Sequence, residues 1–367
     1  MADQNRLLND HNATVRPDSP AAHTNDLIYL DDDQTLYILR ALMLGATPTI
    51  SVFGIIGNIF SIIILRKHGL RKCSNILLFS LAVSDLTFLV GFNSVPKLLY
   101  EIVGDVEGFR YSYVESYVLF VFYHVFHIVD YASGGTSLTL PMLITFERVV
   151  AVFRPLQFHT IVTPRRTWAA VVFVFAFWYT YFIHTSFFVT LSYEMNPVLN
   201  QSIGLLARSA YHYANPQNAV ILEDVMSYLM MKIPPAVTFL GCLIIGIRVR
   251  IASSRRQKMT SQTSKEASSN RTTKMLLAVC SVYTVACGIL SLPTYIPQYM
   301  YYTMTSDAPS NFGKIMYQVI NIVVCINSSV NFVVYVAMNK NFRTTYKSLF
   351  TRQVKNNSLP PVSQVKK

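Results

Sequence analysis

Three acidic side chains stand in almost wholly apolar surroundings, and each has neighbours that suit a definite chemistry. Asp85 lies inside Leu77–Val90, while Asn58, Ser137, Asn327, Ser328 and Asn331 offer neutral polar groups from other apolar stretches. Asn327 and Asn331 are four apart and so share one helix face. One carboxylate among hydroxyls and amides suits a buried hydrogen-bond network, and equally a hard cation. Asp130 heads a second group: Tyr123, His127 and Asp130 recur at spacings of four and three, with His124 and Tyr131 beside them. That face suits a cationic guest, the rings adding cation–π attraction. It equally suits an internal pair between Asp130 and a histidine or Lys232. The third group is Glu147-Arg148, an acid beside an arginine, followed by Pro155. No Ser/His or paired-aspartate arrangement falls at one depth, so no catalysis is expected.

The elements that must position these groups follow from composition. The chain has 367 residues, 52% of them hydrophobic and 14% charged, against about 25% charged in an ordinary soluble chain. Apolar blocks of roughly 20 to 27 residues alternate with short basic stretches, the length that crosses about 30 Å of hydrocarbon. A soluble enzyme, a disordered regulator and a disulfide-built secreted domain are excluded. Seven spans are expected: Leu42–Leu65, Ser74–Leu98, Tyr117–Val150, Trp168–Leu191, Val220–Ile247, Thr273–Met300 and Phe312–Met338. In lipid every backbone N–H and C=O must find a partner inside the protein, so these spans should be helices. Neither the period-two alternation of a membrane barrel nor an inverted repeat is visible.

Charge orients the spans. Most of the 31 lysines and arginines fall in Arg66–Lys72, Arg148–Arg166, Arg248–Lys274 and the tail beyond Met338. The positive-inside rule makes that side cytoplasmic, and the same charges would attract anionic membrane lipid; nucleic acid is not needed to explain them. The leading 41 residues hold seven aspartates and are expected outside. On that side Asn12-Ala13-Thr14 and Asn200-Gln201-Ser202 are glycosylation sequons, so Asn12 and Asn200 are candidate glycan sites. The five cysteines, Cys73, Cys242, Cys280, Cys287 and Cys325, lie in spans or on the cytoplasmic side. No pair has zinc spacing.

Further motifs fall in a fixed order: Gly57-Asn58, Leu81-Ala82-Val83-Ser84-Asp85-Leu86, Glu147-Arg148-Val149, Pro234-Pro235, Pro293 and Asn331-Phe332-Val333-Val334-Tyr335. Over about Leu42–Phe350 the chain resembles a rhodopsin-like (class A) G-protein-coupled receptor. Within that family Asn327–Phe332 and Thr163–Thr167 look like the invertebrate FMRFamide-type neuropeptide receptors; some molluscan chemosensory receptors are similar. The resemblance implies an all-α membrane protein, a seven-transmembrane helix bundle over 42–338, after an extracellular segment 1–41. Residues 339–367 would form a short amphipathic eighth helix, from Asn341-Phe342-Arg343, and a cytoplasmic tail. The departures are definite. Tyr123 stands where the family has an outer cysteine, and the Ser192–Glu223 loop has no cysteine to pair with it, which leaves that loop unstapled. Ser291 replaces the helix-six tryptophan, Thr273 the acid that often meets the helix-three arginine, and Pro141 should kink helix three. Cys325 replaces the lysine that retinal needs, which excludes an opsin.

The resemblance implies a plasma-membrane receptor that binds an extracellular ligand and activates a heterotrimeric G protein. A short amidated neuropeptide is the first expectation for the ligand and a small chemosensory molecule the second; an ion or solute transporter using Asp85 and Asp130 is the reading of another class. The ligand contacts would be Asp130, His127, Tyr131, Tyr295, Tyr299 and Tyr317. Glu147, Arg148, Asn331, Tyr335 and a hinge at Pro293 would serve activation and coupling. Asp85, Ser137, Asn327 and Ser328 match the family's sodium donors; no other cofactor is expected.

Overall fold

The computed structural model describes residues 31–101, 108–197, 199–257, 264–292 and 311–356. Helix α1 comprises Asp32–Arg40, a π turn Ala41–Ala46 and Thr47–His68. It begins well before the expected Leu42. The Asp31 side chain caps it, and Asp32 and Asp33 place negative charge against the helix N-terminus. Helix α2 runs Cys73–Phe92, breaks at Asn93, where the side chain turns back to the Leu89 carbonyl at 2.7 Å, and restarts as Val95–Glu101. Helix α3, Tyr113–Phe153, opens with a reciprocal cap between Ser112 and Glu115 and continues helically through Pro141. Helix α4, Pro164–Ser186, starts on a Thr163 cap with proline in the first turn.

The fourth span does not reach Leu191. After Ser186 the chain turns, and β1, Val189–Asn196, pairs antiparallel with β2, Gln201–Arg208, with Val189 opposite Arg208. Val189, Thr190 and Tyr193 are good strand formers on a half-buried surface, which outweighs the apolarity that suggested helix. Helix α5 joins Pro216–Met226, a π turn Ser227–Lys232 and Ile233–Gln257. Helix α6 is Ser264–Leu290, α7 Asn311–Met338 and α8 Lys340–Asn356. Among the described residues six helices are long and apolar enough to cross a membrane, and α6 adds an apolar stretch, Leu277–Leu290. Together they form the helical bundle expected, with a hairpin that was not.

Helix α3 is the axis of the packing. Trp178 of α4 is buried against it and donates to Thr139 Oγ1 at 2.9 Å. A Cβ on Gly135 would lie 2.7 Å from that indole, so the glycine sets the approach of α4 to α3. At the opposite end from the hairpin, α8 seats Phe342 and Tyr346 against Phe332 of α7, with ring centroids 6.1 and 5.4 Å apart. Phe332 is thus part of the seat for α8.

The hairpin is tied to α3 without a disulfide. Tyr100, Phe109 and Tyr123 bury their rings together, with centroids 5.0 to 6.3 Å apart. Phe109 exchanges backbone hydrogen bonds of 2.8 and 2.9 Å with Gly204 of β2, and the Leu206 N–H donates to the Tyr100 hydroxyl at 3.0 Å. Gly108 makes the turn at φ +127°, where a side chain would be strained. No cysteine staples this loop; an aromatic clasp through Tyr123 holds it instead.

Emptying this cluster with Phe109→Ala should cost about 3 kcal/mol, the low end for a buried phenylalanine, read as a lowered thermal midpoint of purified protein. Dithiothreitol should leave the midpoint of the unmutated protein unchanged. A large fall on reduction would mean that a covalent bond, not the rings, carries the load.

Candidate functional site

At the hairpin end, Asp130 of α3 is 1% exposed, and its partner is Lys97, from the restarted turn of α2. Lys97 Nζ lies 3.1 Å from Asp130 Oδ2, with the two side chains 7% and 1% exposed. A Cβ on Gly91 would meet the Asp130 backbone at 3.0 Å, so the two helices meet closely here. Lys97 Nζ also sits 4.3 Å from the Phe92 ring centroid and 5.7 Å from that of Tyr131. Neither a histidine nor Lys232 takes the expected place beside Asp130; Lys232 instead lies over Tyr228 at 4.2 Å. A lysine within a turn of a span's end could have been weighed as the partner from sequence, because an unpaired charge there is costly. What the sequence does not show is the break at Asn93 that sets where Lys97 falls.

The rings around this pair form one layer. His127 packs 4.4 Å from Tyr131 and 5.9 Å from Tyr123, centroid to centroid. Tyr131 and Tyr317 share a hydroxyl hydrogen bond of 2.7 Å, which brings α7 to α3. His124 is turned away, its Nε2 3.0 Å from the Ser186 carbonyl. The expected contacts Tyr295 and Tyr299, and the hinge Pro293, lie outside the described residues, as does Asn12. Asn200 is exposed at the tip of the hairpin with φ 48°.

Midway along the bundle, Asp85 is fully buried. Ser137 Oγ donates to its Oδ1 at 2.5 Å and Asn331 Nδ2 to its Oδ2 at 2.8 Å. Asn58 Nδ2 donates to the Ser328 carbonyl at 2.9 Å, which draws α1 into the same network. Asn327 and Ser328 are buried on the same stretch of α7. Four helices therefore share one polar layer, and carboxylate, hydroxyl and amide oxygens are a donor set that fits a hard cation. Tyr335, one turn beyond Asn331, is buried against Phe342 of α8, with centroids 5.6 Å apart.

At the α8 end Arg148 folds onto its own neighbour. Its Nε lies 2.7 Å from Glu147 Oε2 and its Nη2 2.9 Å from Oε1. Ser74, in the first turn of α2, completes a triangle: it donates to Glu147 Oε1 at 2.9 Å and accepts from Arg148. Ser74 was not singled out from sequence, since a serine at a helix start reads as an ordinary polar end. Helix α6 is held to α3 by Tyr283, whose hydroxyl donates to the Leu138 carbonyl at 2.5 Å.

A family description, serpentine type 7TM GPCR chemoreceptor Srw, matches residues 46–353. The FMRFamide receptor of Drosophila melanogaster is 25% identical over 310 residues, 83% of this chain and 53% of that protein. The chain thus spans about half the length of that relative. Trace amine-associated receptor 365 of Petromyzon marinus is 25% identical over 84% of this chain and 78% of its own. FMRFamide peptide receptor frpr-18 of Caenorhabditis elegans is 27% identical over 83% and 68%.

Stranding one partner of a buried ion pair costs about 3–5 kcal/mol, whereas removing both is often neutral. Lys97→Met should therefore lower the thermal midpoint in detergent clearly, and adding Asp130→Leu should restore most of the loss. Native stability in the Lys97→Met variant alone would show that the pair carries no weight.

Proposed function

The chain belongs to the serpentine type 7TM GPCR chemoreceptor family Srw, whose members are multi-pass membrane receptors rather than enzymes, and on that premise we propose that it is a plasma-membrane receptor for a short amidated neuropeptide. The hairpin end and the N-terminus face outside, and the basic α8 end faces the G protein. The observation that carries the ligand class is Asp130, a buried carboxylate among aromatic rings whose present cation, Lys97, has a second seat on Phe92. A positive group on the peptide competes with Lys97 for Asp130, while His127, Tyr131, Tyr317, Tyr295 and Tyr299 supply the surrounding surface. The FMRFamide relatives support a peptide. A small-molecule chemoreceptor is the second reading, favoured by the chemoreceptor description of the family. Membership of a receptor family sets the transporter reading aside.

A ligand drives activation only by binding the active arrangement more tightly than the resting one. In the resting arrangement Arg148 is occupied by Glu147 and Ser74. Opening of α6 about Pro293 releases Arg148 to meet the G protein, with Asn331 and Tyr335 shifting on α7. Sodium held by Asp85, Ser137, Asn327 and Ser328 favours the closed arrangement and opposes agonist binding. Asn200, exposed on the hairpin, and Asn12 carry glycans.

The decisive experiment is a cell-based screen of amidated peptides, biogenic amines and small odorants, read by calcium and cyclic AMP. With an active peptide in hand, Asp130→Asn should lose about 2–5 kcal/mol of potency, the range for breaking a buried charge pair. Lys97→Gln should leave potency equal or better, because it removes a competitor. Arg148→Ala should abolish signalling at normal surface expression. Unchanged potency in Asp130→Asn across agonists would sink the anchor.

The sodium site has its own test, agonist binding at fixed ionic strength with sodium exchanged for a large organic cation. Affinity should rise on exchange in the native receptor and stay constant in Asp85→Asn. Identical affinity in both buffers for the native receptor would rule the ion out.

A further inference from the structure

The sequence puts Thr273 where an acid of α6 would face the α3 arginine, and Arg148 finds its carboxylate inside α3 itself, at Glu147. Among the described residues no ion pair joins α3 to α6. Two hydrogen bonds join them. Tyr283 of α6, 1% exposed, donates its hydroxyl to the Leu138 carbonyl at 2.5 Å. About two turns further along α3, the Thr145 hydroxyl lies 3.5 Å from the Cys280 sulfur. The first is the stronger, since sulfur is a weak partner and the contact to it is long. Leu138 stands at a singular point of α3. Its neighbour Ser137 holds Asp85 through Oγ at 2.5 Å. Pro141 has no N–H, so the Ser137 carbonyl lacks the donor that a helix supplies four residues ahead. The backbone ladder of α3 is thus interrupted where Tyr283 meets it.

We propose that the Tyr283–Leu138 hydrogen bond is the tie that holds α6 closed against α3 in the resting receptor, which makes Tyr283 a positioning residue for the release of Arg148. The proposal rests on the receptor reading above, since it requires α6 to swing during activation. The acceptor is a main-chain oxygen fixed in α3, so it cannot follow α6 outward as a side chain could. Leu138, Trp178, Cys287 and Leu290 bury the phenol in one apolar cluster. A hydroxyl pulled off its acceptor there meets no water, and its stranding is costly. Opening of α6 therefore has to break this bond, and a ligand has to supply the difference. Phenylalanine keeps the ring and its packing and removes only the donor.

The test uses full-length receptor in lipid nanodiscs without ligand, with nucleotide exchange measured on a panel of purified heterotrimeric G proteins. Tyr283→Phe should raise basal exchange about five-fold, the shift in equilibrium that one hydrogen bond of ordinary net strength carries. Nitroxide amino acids built in at Arg154 and Lys265 read the separation of α3 from α6 by pulsed electron resonance. Tyr283→Phe should add a longer-distance population absent from the native receptor. The comparison is Tyr181→Phe, which removes a similar buried bond, 2.6 Å to the Leu222 carbonyl, between α4 and α5. It should lower the thermal midpoint and leave both basal exchange and separation unchanged. The proposal is overturned if Tyr283→Phe lowers the midpoint while exchange and separation stay native, or if Tyr181→Phe raises both as much. If neither native nor variant receptor activates any G protein, the receptor reading fails on its own, and the separation still decides the tie.

Discussion

The cost of placing charge and unpaired polar groups in an apolar bundle governs this molecule. Asp85, Asp130, Glu147 and Arg148 all lie within long apolar helices, and each is met by a partner from its own or a neighbouring helix. Those partners tie α2 to α3 at the hairpin end, α1, α2, α3 and α7 midway, and α2 to α3 again at the α8 end. Apolar side chains cannot do this alone, because lipid tails satisfy them as well as protein does. The polar contacts therefore choose among the packings that apolar contacts merely permit.

That dependence explains which parts were legible in the sequence. Helical spans show plainly, since length and apolarity are set by bilayer thickness. The polar residues at Asp85, Asp130 and Glu147-Arg148 also show, because each stands out against its background. Their partners divide by whether the link is local. Ser137 and Asn331 could be named for Asp85 because each is a polar residue inside an apolar span. Lys97 could be weighed only as one candidate and Ser74 not at all, since both depend on how α2 begins, breaks at Asn93 and restarts. Helix boundaries are set by caps such as Asp31 and Thr163 and by strand preference after Ser186, signals weaker than a run of twenty apolar residues.

The three charged layers differ in what they leave free to change. Asp85 takes donors from side chains fixed on two other helices, so its neighbours move only if whole helices move. The Lys97–Asp130 contact is carried on a short turn beyond a helix break, and Lys97 has aromatic faces on which to rest. Arg148 is bound to its own neighbour and to one serine, a lock that a side-chain rotation undoes. The contacts that a side-chain rotation can undo thus lie toward the two ends of the bundle, and those that need whole helices to move lie at its middle.

The aromatic clasp has a consequence for the timing of folding and opening. A covalent staple forms once, in an oxidising compartment, and afterwards fixes the distance between loop and helix. Rings packed at 5 to 6.3 Å hold the loop with a strength set by the local free energy of the hairpin and not by redox chemistry. The β1–β2 hairpin can therefore behave as a separate cooperative unit above the helices, lifting and reseating while the bundle beneath stays folded. A single ring substitution then changes how firmly that unit is held, while the helices beneath keep their own contacts.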